Sequence, residues 1–119
     1  MTGSVVLIFA TDPLAGALLG AGVEFAGATP VFPREQESPR DALLRLRPRL
    51  VMIDCDHVEA CTEAVFGPAM MVGARISVFS STRSHRALEP IAREFNVASF
   101  ELPVDFDELA RLLRDCGIR

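Results

Sequence analysis

The stretch "RLVMIDCDHVE", Arg49 to Glu59, decides the fold of this chain. An apolar run, Leu50 to Ile53, goes straight into Asp54, and a second acid, Asp56, follows two positions later. A short apolar run of this kind reads as a strand buried on both faces. A strand that ends on a carboxylate delivers that carboxylate to an edge of the sheet, where sites form.

Working outward, the same pattern recurs. Ser4 to Ala10 reads as a buried strand, and Asp12-Pro13 then marks a helix start. Leu14, Leu18, Leu19 and Val23 are expected to form the apolar face of that helix, which ends near Gly27. Its "GALLGAG", Gly16 to Gly22, lies inside the helix and lacks a third glycine, so it reads as close packing and not as a dinucleotide loop. Ala28 to Phe32 is the second predicted strand. Ser38-Pro39 starts a second helix carrying Leu43, Leu44 and Leu46, stopping before Pro48.

Beyond the opening stretch, Val58 to about Val72 is expected to be helical, kinked or split at Pro68. Arg75 to Ser80 is the fourth strand, and Ser84 caps a helix from His85 to Phe95. Ala98 to Leu102 is the fifth strand. Asp105 caps a last helix, Phe106 to Cys116, with Leu109, Leu112 and Leu113 inward. Five strands alternating with helices predict an α/β fold: one flavodoxin-like (βα)5 three-layer sandwich over residues 1–119, its parallel sheet ordered 2-1-3-4-5. In that order the site lies at the carboxyl ends of strands 1 and 3. The loops there contain Ala10, Thr11, Asp12, Asp54, Cys55, Asp56, Ser80, Ser81 and Leu102-Pro103.

Composition narrows the function. Half of the 119 residues are hydrophobic, enough for a core. The apolar run Val5 to Ala10 is too short to span a bilayer and has no basic lead or cleavage site, so the expectation is a cytoplasmic protein. A net charge of -4 argues against a general nucleic-acid binder. Cys55, Cys61 and Cys116 are odd in number and widely spaced, which disfavours a disulfide framework. Cys55, His57, Cys61 and Asp56 match no zinc module. All twelve basic residues are arginine; the chain contains no lysine.

Taken together, the chain resembles the receiver domain of two-component response regulators (CheY-like), over essentially its whole length. "RPRLVMIDCD" resembles the family's third strand, with Asp54 at the phosphoacceptor position. "ISVFSS" resembles its fourth strand, with Ser80 at the Thr/Ser position that contacts the phosphoryl group. "FELPVDFDELARLL" resembles its end, with Pro103 at the family's proline. The departures are specific. Ala10 and Thr11 stand where the family has its Mg²⁺-binding acidic pair, and Asp12 falls one position later. Leu102 stands where the family has lysine, and Ser99, beside Phe100, stands at the aromatic switch position.

The resemblance therefore implies an atypical, degenerate member. Phosphoryl transfer to a carboxylate relies on positioning and charge neutralisation. Mg²⁺ is held by carboxylates, phosphate and waters. With the acidic pair and the lysine gone, aspartyl phosphorylation is expected to be absent or impaired, and no other cofactor is implied. Asp12 and Asp56 are the weaker metal candidates; each also has a plainer reading, as a helix cap or loop acid. The alternative is a slow but functional phosphoacceptor at Asp54. A further alternative rests on "SSTRSHR", Ser80 to Arg86, where Ser81, Thr82 and Arg83 suit an anion, so the loop would sense a phosphate ligand. The plainer reading is a solvated loop with Ser84 as cap. The expected role is a non-enzymatic signalling protein with protein partners: a kinase, an output domain or another signalling protein. The resemblance also offers a homodimer through the fourth helix, fifth strand and fifth helix, with Ile91, Phe95 and Phe100 on that face.

Overall fold

A computed structural model describes residues 5–10, 13–54, 63–80, 90, 93–94, 97–101 and 105–115. Five strands form one parallel sheet: β1 (Val5–Phe9), β2 (Thr29–Val31), β3 (Leu50–Asp54), β4 (Arg75–Ser80) and β5 (Ala98–Glu101). Their order is β2-β1-β3-β4-β5, as the alternation of elements predicts. The helices described end to end are α1 (Pro13–Phe25), α2 (Pro39–Leu46), α3 (Glu63–Met71) and the last helix, α4 (Phe106–Asp115). Pro90, Arg93 and Glu94, within the predicted fourth helix, are helical; the rest of that helix lies outside the described residues.

Alternation along the strands divides the core into two layers. Leu7, Val51, Ile53 and Val78 face one way and pack with Ala42 and Leu43 of α2 and Ala69 of α3. Val6, Ile8, Leu50, Met52 and Phe79 face the other way and pack with Leu19 and Val23 of α1 and Leu109, Leu112 and Leu113 of α4. Burial on both faces explains why β1 and β3 read as unbroken apolar runs.

The helix ends follow local chemistry. Ser38 caps α2 by accepting the Asp41 N–H at 3.1 Å. Asp105 accepts the Asp107 N–H at 3.2 Å at the start of α4. Gly27 (φ 90°) and Gly73 (φ 78°) close α1 and α3 in the left-handed conformation. In each case the next residue's N–H returns to the carbonyl five residues earlier: Ala28 to Val23 at 3.1 Å, Ala74 to Ala69 at 3.0 Å. Arg47 (φ 43°) ends α2 in the left-handed conformation without being glycine; its own N–H returns to the Leu43 carbonyl at 2.8 Å, since Pro48 has none to give.

Several expectations need correction. Leu14 and Leu18 are 66% and 51% exposed, so they do not belong to the inner face of α1. Ala15, Gly16, Leu19, Gly20, Gly22 and Val23 form it instead. Leu44 likewise points outward from α2. β2 is shorter than Ala28 to Phe32, because Ala28 is held in the turn closing α1. Phe32, past the strand, lies against α1, its ring 3.4–3.5 Å from where a Cβ on Gly16 or Gly20 would stand. α3 runs through Pro68 as one element and is not split there; the predicted turn before Glu63 lies outside the described residues.

Candidate functional site

Parallel register fixes what meets at the carboxyl edge of the sheet. Phe9 pairs with Ile53, so Ala10 stands level with Asp54. Asp54 pairs with Phe79, so Ser80 lies one position further along β4. Asp54 and Ser80 are both fully buried. Three of the predicted positions, Ala10, Asp54 and Ser80, thus share one edge at the middle of the sheet. The neighbouring elements change hand here: β1 is followed by α1 on one face, β3 by α3 on the other. This is the switch point where open α/β sheets bind ligands.

Thr11, Asp12, Cys55, Asp56, Ser81, Thr82, Arg83, Leu102 and Pro103 lie outside the described residues, as do His57, Cys61 and Cys116.

Among the described residues, the polar groups at this edge are few. Asp54 supplies a carboxylate and Ser80 a hydroxyl, while Ala10 presents a methyl group packed against the α1–α4 layer. Among the described residues, no group of three or more His, Cys, Asp or Glu side chains converges as a metal site. Asp12 and Asp56, the other acids expected near this edge, lie outside the described residues. Burial makes Asp54 consequential, since an ionised carboxylate out of water is costly unless paired or hydrogen-bonded.

Phe100 pairs in register with Phe79, and the two rings stack with centroids 5.2 Å apart. Phe100 is half-buried and packs on the layer under α1 and α4, so much of its ring is committed to the core. Ile91 and Phe95 of the predicted dimer face lie outside the described residues. Sequence reasoning missed Ser77, which is fully buried on β4 and donates its hydroxyl to the Val51 carbonyl at 3.4 Å, linking β3 and β4. It also missed the outward apolar side of α1, for which the helix's near-total lack of charge was the available signal.

No protein-family model matches the sequence, and no curated protein matches it. Solved structures do. A response regulator receiver protein from Burkholderia phymatum superposes with a TM-score of 0.74 at 15% identity, covering 98% of this chain and 97% of that one. The signal receiver domain of a modulated diguanylate cyclase from Desulfovibrio desulfuricans G20 gives 0.73 at 22% identity, covering 98% and 94%. A putative pilus assembly-related protein from Burkholderia pseudomallei gives 0.73 at 17% identity, covering 96% and 89%. At these identities the likeness concerns the fold. The chain has the fold of CheY-like response-regulator receiver domains, five parallel strands in the order 2-1-3-4-5 wrapped by helices.

Proposed function

We propose that this chain is an atypical receiver-like signalling protein that acts by binding other proteins, with Mg²⁺-dependent phosphorylation of Asp54 absent or impaired. One observation carries this reading. Ala10 stands level with the buried Asp54, in a chain that contains no lysine. A methyl group replaces a charge at the metal side of the site. The chain has no lysine side chain to offset the phosphoryl oxygens. Each lost charge contact in a dry site costs about 3–4 kcal/mol of transition-state stabilisation, roughly 10²–10³ in rate. Two such losses compound to several orders of magnitude. What remains is a receiver fold whose surfaces can engage a kinase, an output domain or another signalling protein without a phosphorylation step.

The experiment is direct. The protein is incubated with a small phosphodonor and Mg²⁺, and its intact mass is taken. The expected mass is unchanged over minutes. A prompt gain of one phosphoryl group, lost in Asp54→Asn, would overturn the proposal. The retention of both Asp54 and Ser80 at the same edge favours a second reading, slow phosphorylation of Asp54 aided by Asp12, Asp56 or Arg83. It requires a gain over hours that Asp54→Asn abolishes and Arg83→Ala slows.

A further inference from the structure

α1 is apolar all round. Between Pro13 and Phe25 its one charged residue is Glu24. A helix of that composition normally buries every side, yet this one buries only its inner face. Its outer face carries Leu14 (66% exposed), Leu18 (51%) and Phe25 (74%), with Ala21 also outside. These positions follow one another in steps of four, three and four residues, the spacing of a helix–helix seam. The stripe continues onto α4, where the Phe106 ring, 40% exposed, lies 5.3 Å from that of Phe25.

We infer that this stripe is the contact surface between two copies of the chain, packed α1 against α1 in antiparallel fashion about a two-fold axis. Two arguments select a second copy as the occupant. The first is area. With about 150–250 Å² for a whole aromatic side chain, the exposed parts of Leu14, Leu18, Phe25 and Phe106 offer on the order of 400 Å². A standard interface buries about 800 Å² per partner, a little over half of it apolar. The stripe supplies that apolar share.

The second argument is complementarity under the symmetry. A two-fold axis between Leu18 and Ala21 sets Leu18 on the partner's Ala21 and Leu14 on the partner's Phe25. Large side chains meet small ones at the centre, and the longer ones close the ends. Charge agrees: Glu24, the one charged residue of α1, lies in its last turn. The antiparallel arrangement sets the two Glu24 side chains at opposite ends of the seam. A parallel arrangement would instead set the two Glu24 side chains side by side. The exposed groove between α2 and α3, lined by Leu44, Pro68 and Met71 among others, is a second apolar surface and serves as the control.

The test is the solution mass of the full chain without phosphodonor, so its outcome is separate from that of the phosphorylation assay. Light scattering and sedimentation equilibrium are expected to show a reversible dimer of the 12.9 kDa chain, with Kd in about the micromolar range. Leu18→Glu is expected to weaken it by about 100-fold or more, as a charge at the centre of an apolar contact does. Met71→Glu, on the control surface, is expected to leave it unchanged. Each variant is compared with wild type by circular dichroism and thermal melting, and Ala21→Glu replaces Leu18→Glu if the latter folds poorly. A wild-type chain that stays monomeric at about ten times the micromolar range would overturn the inference. So would a dimer indifferent to both substitutions.

Discussion

α1 and α4 lie side by side over the same core layer, yet they are built on different plans. α4 buries Leu109, Leu112 and Leu113 and exposes Asp107, Glu108, Arg111, Arg114 and Asp115. Its inside and outside can be told apart from the residues alone. α1 has leucines on both sides: Leu19 is fully buried, while its neighbour Leu18 is 51% exposed. What separates them is glycine. Gly22 brings α1 so near α4 that a Cβ there would collide with the Leu109 side chain. Gly16 and Gly20 leave room for the Phe32 ring. The helix is oriented by where it is thin, not by where it is greasy.

The sharpest way to break this contrast is to shorten each leucine in turn. Leu19→Ala is expected to cost about 2–5 kcal/mol through lost burial and a cavity. Leu18→Ala, at dilution below any association, is expected to stay within about 0.5 kcal/mol. Urea midpoints at constant slope measure both, and similar losses would mean that the two faces of α1 are misassigned. Next in size is Gly22→Ala, which forces a methyl group into the α1–α4 contact. The expected cost is about 1–3 kcal/mol, read from the same curves, and pairing it with Leu109→Ala should relieve part of it.

The smallest effect concerns the polar chemistry that α1 lacks and the entry to α2 has. Glu37 accepts two hydrogen bonds from the Arg45 guanidinium, at 2.7 and 2.8 Å, and one from the Arg34 N–H at 2.9 Å. The Arg45 bonds above all, with help from the Arg34 N–H, hold its carboxyl down to about 2 from an ordinary 4.5. A folded-state value below the unfolded one gives stability that is present above about pH 4.5 and lost as pH falls through about 2. Glu37→Gln is therefore expected to lie slightly below wild type at neutral pH and to converge with it in acid. Melting temperatures across that range, at low salt, test it. A constant gap would show that the carboxylate charge is not responsible.

Much of the architecture was legible because each signal was local. Apolar runs gave β1, β3 and β4. Ser38-Pro39, Asp105 and Gly27 marked helix ends where they occur. α4 was readable because its charged side is unmistakable. α1 was misread at Leu14 and Leu18 because periodicity cannot orient a helix that is apolar throughout. The candidate site was legible as positions, since parallel register carries Ala10, Asp54 and Ser80 to one edge. Ser77 escaped because a hydroxyl within a strand signals nothing until the carbonyl opposite it is known. The outward tilt of Leu44 escaped for a related reason: α2 turns Ala42 and Leu43 to the core, and a run of leucines does not itself say which of them a short helix buries.

The two outer strands of the sheet carry a consequence of their own. β2 has three residues, with Pro30 at its centre, and β5 has four. A proline cannot donate to an incoming strand, and a strand of a few residues gives little to copy. A chain half of whose residues are hydrophobic is thereby shielded against strand-by-strand polymerisation at its borders. Association is left to helical surfaces, where a two-fold contact would close on itself and stop growing.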